Sequence, residues 1–289
     1  MFYLLGVTAL WAFSFSLIGV YLAGQVDAWF SVLIRIALAT LVFLPFLRIR
    51  QVDSGTAIKL MTIGAVQLGL MYVFYYHSFL FLSVPEVLLF TVMTPIYVTL
   101  INDAWERKFH GNFMLTAVIA TAGAIAIRYN GIDADFILGF ILVQAANLCF
   151  AAGQVAYKRL MGKSAIKQQT VFAWFFIGAL LVATVCYAIF GDSEKLPSTG
   201  LQWTVLIYLG TIASGLGYFA WNKGATLVNV GALAVINNLL IPAGIVVNVL
   251  FWNRDMDIQR LAFGGALIVL SLLLNQWLEK KRKPQIAVQ

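Results

Sequence analysis

A chain of 289 residues that is 62% hydrophobic and only 11% charged, with a mean hydropathy of +0.89, lacks the polar surface of a water-soluble domain, which is nearer half apolar and a quarter charged. The apolar excess must face a bilayer, so the chain reads as an integral membrane protein. Its net charge of +7 is spread through short connections and the run EKKRK at 279–283, which excludes a nucleic-acid patch and fits membrane topology.

Runs of about 20 mostly apolar residues, divided by charges and turn formers, predict ten spans: 2–23, 29–47, 58–82, 85–101, 112–128, 136–157, 170–190, 201–222, 229–251 and 261–278. The first, opening MFYLLGVTALW, has no basic leader before its apolar run and is read as a retained helix. The short links at Ser83–Glu86 and Val228–Asn229 make their neighbours antiparallel. Cys149 and Cys186 both fall in apolar runs, too few and too isolated for a disulfide framework or a zinc site. Of the 19 lysines and arginines, one side of the predicted membrane receives 14 and the other four, with Arg35 inside a span. That bias places both termini in the cytoplasm, at a bacterial-type inner membrane.

One phrase is written twice. GLMYVFYYHSFLFLSV (69–84) aligns with GLGYFAWNKGATLVNV (215–230), pairing Tyr72 with Tyr218, Tyr75 with Trp221, Tyr76 with Asn222 and His77 with Lys223. A one-residue slip further on pairs Pro95 with Pro242 and Trp105 with Trp252. The chain therefore divides into halves, 1–130 and 131–289, of five spans each. Five is odd, so the second half crosses the membrane in the opposite sense to the first. The expected fold is an all-α integral membrane protein of ten transmembrane helices in two inverted five-helix repeats, the plan of secondary transporters with a site between the halves.

The third span presents Tyr72, Tyr75, Tyr76 and Phe79 on one helical face, and the eighth repeats the first three as Tyr218, Trp221 and Asn222. Such a face either lines a solute path, with rings supplying area and polar tips fixing orientation, or belongs to an interfacial aromatic belt. Trp11, Ser14, Asn147 and Gln154, in the first and sixth spans, are further path candidates or interhelical glue. Of Asn237 and Asn238 in the ninth span, one is expected to face the path. His77 is a candidate for proton coupling or a local hydrogen bond to a carbonyl. Glu86, after Pro85, suits a helix N-terminus or a solute. Arg35, the deepest charge, binds a substrate carboxylate, pairs with Glu86 or Asp27, or snorkels outward. Lys223 is an inner-side anchor or part of a gate. Pro95 and Pro242 are expected to kink their spans. Small residues at 117–127 and 262–267 suit close helix packing.

The order of these features resembles the EamA-type members of the drug/metabolite transporter superfamily: LLGVTALWAFSFSLIGVYL at the start, Arg35 in the second span, the phrase ending at Pro95, and WERKFHGNFMLTAVIATAGAIAI after it. The resemblance implies a pocket lined by the first, third, fourth, sixth, eighth and ninth spans, with the fifth and tenth peripheral. It also implies transport of amino acids or related metabolites. Glu106 matches the family's acid after the fourth span, but its second-half counterpart is Asn253. The expected function is alternating-access movement of amino acids or similar metabolites, as an exporter. A vitamin, a nucleotide-like solute or a lipophilic drug is the alternative. An intramembrane enzyme is disfavoured, because no metal-ligand or nucleophile–base spacing appears. The chain also has no phosphate-binding loop for an ATP-driven step. No cofactor is called for; the partners are a small solute and the bilayer, with a monomer expected and a dimer left open.

Overall fold

The structure is a computed structural model that describes residues 2–107, 133–228 and 230–252, with isolated positions at 119 and between 259 and 277. Every regular element among the described residues is a helix. Among the described residues seven helices are long and apolar enough to cross a membrane: α1 (Phe2–Tyr21), α2 (Ala28–Phe46), α3 (Ser54–Ser78), α4 (Val84–Trp105), α5 (Ala134–Met161), α6 (Phe172–Phe190) and α7 (Gly200–Thr226). An eighth, α8 (Val230–Trp252), follows. They correspond to the first four and the sixth to ninth expected spans. The fifth, with its small-residue stretch, lies outside the described residues except for position 119, the tenth is described only at isolated positions, and Asn253 lies outside them.

The helices begin where side chains can satisfy the orphan amides of a first turn. Asp27 accepts from Phe30 N at 2.7 Å, Asp53 from Thr56 N at 3.0 Å and Asp133 from Phe136 N at 2.8 Å. Asp53 moves the start of the third span from the expected 58 to 54. Beyond Ser78 the chain turns through residues 79–82 and re-enters at Ser83, whose amide and hydroxyl both donate to Glu86, at 2.8 and 2.7 Å. Glu86 thus sits in a capping box at the start of α4.

Besides α2, which ends in a 3₁₀ turn at Leu44–Phe46, three spans are interrupted within their length. A π-helical turn interrupts α3 at Ala65–Leu70 and α7 at Tyr208–Leu216, and a 3₁₀ turn at Thr91–Met93 breaks α4 just before Pro95. By contrast, α8 runs as one helical element through position 242; the Pro242 side chain lies outside the described residues.

The helices before residue 107 interleave with those after 133. α1 packs on α7 and α8, α2 on α6 and α7, α3 on α5 and α6, and α4 on α5 and α8. At the α3–α6 crossing the backbones touch. A Cβ on Gly64 would lie 1.7 Å from Phe175 O, and one on Gly178 would lie 1.9 Å from Met61 O. Only glycine fits either place, the small-residue route to close packing where lipid removes the hydrophobic drive between helices.

Candidate functional site

A cavity lies at the centre of this packing, with walls from α1, α2, α3, α4, α5, α7 and α8. The space open to water centres is about 90 Å³. Its aromatic wall is built from Trp11, Phe15, Tyr72, Tyr75, Phe150 and Tyr218, which pack on one another. Trp11 lies 5.1 Å from Tyr218 and 6.1 Å from Phe150, and Phe15 meets Tyr75 edge-on at 5.4 Å.

Irregular backbone positions this wall. The Trp11 indole N–H donates to Ala213 O at 2.8 Å, a carbonyl inside the π-turn of α7, where the ordinary helical ladder is displaced. The 3₁₀ turn of α4 does the same for Asn147. Its amide nitrogen donates to Phe90 O at 2.9 Å, and its oxygen accepts from Thr94 at 3.2 Å. Asn147 therefore clamps the break in α4 while lining the cavity. Ser14 donates to Leu10 O at 3.3 Å. Asn237 reaches the cavity from α8 with an Nδ2 that has no partner among the described residues; the Asn238 side chain lies outside the described residues.

Arg35 enters the cavity from α2 and is 2% exposed. Its Nη1 donates to Tyr76 OH and its Nη2 to Tyr72 OH, both at 2.8 Å, while Nε and Nη2 reach Ser214 Oγ at 3.2 and 3.0 Å. The guanidinium carbon lies 4.4 Å from the centre of the Tyr72 ring, a cation–π contact. It pairs with neither Asp27 nor Glu86 among the described contacts, and it stays buried instead of snorkelling.

Trp11, Ser14, Arg35, Tyr72, Tyr75, Asn147, Tyr218 and Asn237 thus share one cavity. Tyr76 stands behind it, on Arg35. Gln154, Trp221 and Asn222 form a separate buried cluster. Trp221 Nε1 donates to Gln154 Oε1 at 3.3 Å, and Gln67, from the π-turn of α3, donates to Asn222 Oδ1 at 3.1 Å. Trp221 also packs against Trp11, with ring centres 5.0 Å apart and planes tilted by 31°. The remaining ionisable candidates lie apart. His77 Nδ1 is 2.7 Å from Val73 O and its ring 4.3 Å from Trp29. Lys223 lies over the Tyr3 ring at 5.2 Å.

A second recess of about 470 Å³ lies between the ends of α4, α5 and α7 that carry the basic residues. It is lined by Asn102, Glu106, Lys158, Arg159 and Lys163. Arg159 joins Glu106 at 3.2 Å and Asn102 at 2.8 Å, tying α5 to α4.

Sequence reasoning missed Ser214, Gln67, Phe150 and Met71. The first two are polar residues in apolar runs whose importance comes from π-turns that leave no mark on hydrophobic periodicity. The last two are indistinguishable by type from lipid-facing residues.

An interleaved bundle of membrane-length helices around an aromatic cavity is the architecture of a multi-pass membrane transport protein. The EamA-like transporter family model matches residues 1–129 and 137–276, and the chain belongs to that family. Over 278 residues it is 53% identical to the "Probable biotin transporter" of Pseudomonas aeruginosa, covering 96% of this chain and 97% of that one. The "Biotin transporter" proteins of Salmonella typhimurium and Escherichia coli K12 are 48% and 45% identical over 281 residues, covering 97% of this chain and 94% of theirs. A crystal structure covering 96% of both chains matches with a TM-score of 0.67 at 18% identity, a likeness of fold alone. Biotin is a vitamin, so these relatives favour the vitamin alternative over the amino-acid export expected from the sequence.

Proposed function

We propose that this chain carries biotin across the bacterial cytoplasmic membrane as a ten-helix secondary transporter of two inverted five-helix repeats, 1–130 and 131–289. Both termini are cytoplasmic, and the central cavity is the transport site. The observation that carries this reading is the identity of 45–53% over nearly the whole chain to proteins named for biotin.

The packing supports the repeats. Exchanging the first four spans for the sixth to ninth converts the α2–α7 contact into α6–α3, α3–α5 into α7–α1, and α4–α5 into α8–α1, and each of these contacts is present. The π-turns also fall in corresponding spans, α3 and α7. Two related halves packed reciprocally can exchange conformations at little net cost, which alternating access requires.

The cavity chemistry also suits biotin, which joins a fused bicyclic urea to a carboxylate through an apolar chain. Rings offer area to the apolar part, and Asn147, Thr94, Asn237 and Arg35 offer polar contacts. At about 90 Å³ the cavity is smaller than the roughly 300–1,000 Å³ typical of closed sites for ligands of this class. The halves therefore part to load the solute.

Counterflow tests the proposal. Vesicles holding the purified full-length protein and unlabelled biotin should accumulate external labelled biotin with saturation, whereas vesicles preloaded with mixed amino acids should not. Biotin-independent uptake, or counterflow driven only by amino acids, would sink it.

A further inference from the structure

We infer that Arg35 is the specificity-determining residue of the transport site and reads a carboxylate, so that the solute is bound as an anion. The inference rests on the central cavity being that site, and it adds the charge the solute must carry there.

A guanidinium has five N–H donors and no acceptor. Four hydrogen bonds from Arg35 reach three neutral oxygens, those of Tyr72, Tyr76 and Ser214, leaving one Nη1–H without an acceptor among the described residues. The three hydroxyls keep their own protons. One is shared between Tyr72 and Ser214 at 2.8 Å, Tyr72 is also hydrogen-bonded to Tyr218, and the Tyr76 proton has no acceptor among the described bonds. The cluster is therefore rich in donors and poor in acceptors.

Among the described residues its charge is also uncompensated. Arg35 has no carboxylate partner among them, and the ion pairs Arg159–Glu106 and Lys195–Asp192 lie away from the cavity. A buried charge is ordinarily paired, because the apolar interior solvates it poorly. Neutral hydroxyls orient this one without cancelling it. The further unpartnered polar atom lining the same cavity, Asn237 Nδ2, is again a donor. A carboxylate completes the cluster by supplying acceptors and a negative charge together. A urea carbonyl would complete Asn237.

The test is displacement of tritiated biotin from purified full-length protein by biotin and by biotinamide, which has nearly the same shape and no charge. Biotinamide is expected to displace roughly 30-fold more weakly. In Arg35→Gln the gap should shrink to about threefold or less, and Arg35→Lys should keep part of it. Equal displacement by the two compounds in the wild type, or an undiminished gap in Arg35→Gln, overturns the inference. Should Arg35→Gln not fold, Tyr76→Phe, which removes one oxygen that orients the guanidinium, must narrow the gap about threefold; an unchanged gap overturns it. If the wild type binds no biotin, the proposed function fails and the pairs lipoate/lipoamide and octanoate/octanamide decide. Preference for the carboxylates upholds the inference, and no preference or no binding ends it.

Discussion

The π-turns of α3 and α7 use the same backbone device with different chemistry. Each delivers a fully buried polar side chain to helices distant in the chain: Ser214 to Arg35 and Tyr72, and Gln67 to Asn222. Around Ser214 the cluster is charged and tightly bonded. Around Gln67 it is neutral and under-bonded, with Gln67 Oε1, Gln154 Nε2 and Asn222 Nδ2 all lacking partners. A buried polar group left unpaired costs about 1–3 kcal/mol; the neutral junction leaves both an acceptor and donors unpaired among the described residues, whereas the charged one leaves only donors. The lesson is a division of labour. One junction holds a charge in fixed geometry among hydroxyls, and the other leaves three buried amide atoms without partners among the described residues.

The largest expected effect separates the two junctions directly. Arg35→Met should lower biotin transport about 100-fold or more, the scale of removing one member of a buried charge pair. Gln67→Met, which exchanges an under-bonded amide for an apolar chain of similar volume, should stay within about fivefold, since such exchanges can be nearly neutral. Similar losses in parallel uptake assays would erase the distinction. Next, Tyr72→Phe removes an oxygen that accepts from the guanidinium. Its bond matches that of Tyr76 at 2.8 Å, so biotin affinity by titration should fall by a similar factor, about threefold to tenfold.

A smaller effect sharpens the neutral side. A Cβ on Gly153 would lie 2.1 Å from Gln67 Cβ, so Gly153→Ala must push α5 away from the π-turn. Overpacking of this kind costs about 1–3 kcal/mol, visible as a lower thermal midpoint in detergent, and it should leave the biotin–biotinamide gap intact. Smallest of all, Glu106→Gln breaks the partly exposed pair with Arg159. Surface pairs contribute about 0–1 kcal/mol, so the midpoint should scarcely move.

Much of this architecture is legible in the sequence. The lengths and order of the spans follow from apolar runs and their charged breaks, and the stripe Tyr72, Tyr75, Tyr76 follows from helical spacing. The caps at Asp53 and Ser83 shift the ends of the third and fourth spans because side-chain hydrogen bonding, not hydropathy, sets them. The π-turns are illegible for a deeper reason. AVQLGL at 65–70 and YLGTIASGL at 208–216 are as apolar as their surroundings, and the extra residue per turn shows only when the helix packs. Consequently the division of the repeated phrase between two junctions, Tyr72 and Tyr76 on Arg35 but Trp221 and Asn222 on Gln154 and Gln67, cannot be read from the alignment that pairs them.

The most direct measurement is the structure of the full-length protein bound to biotin. Density for the solute should fill the cavity between Trp11, Tyr75 and Tyr218, with its carboxylate within hydrogen-bonding distance of Arg35. Biotin found elsewhere in the bundle, or bound with its carboxylate turned away from Arg35, would contradict the assignment of this cavity and this arginine.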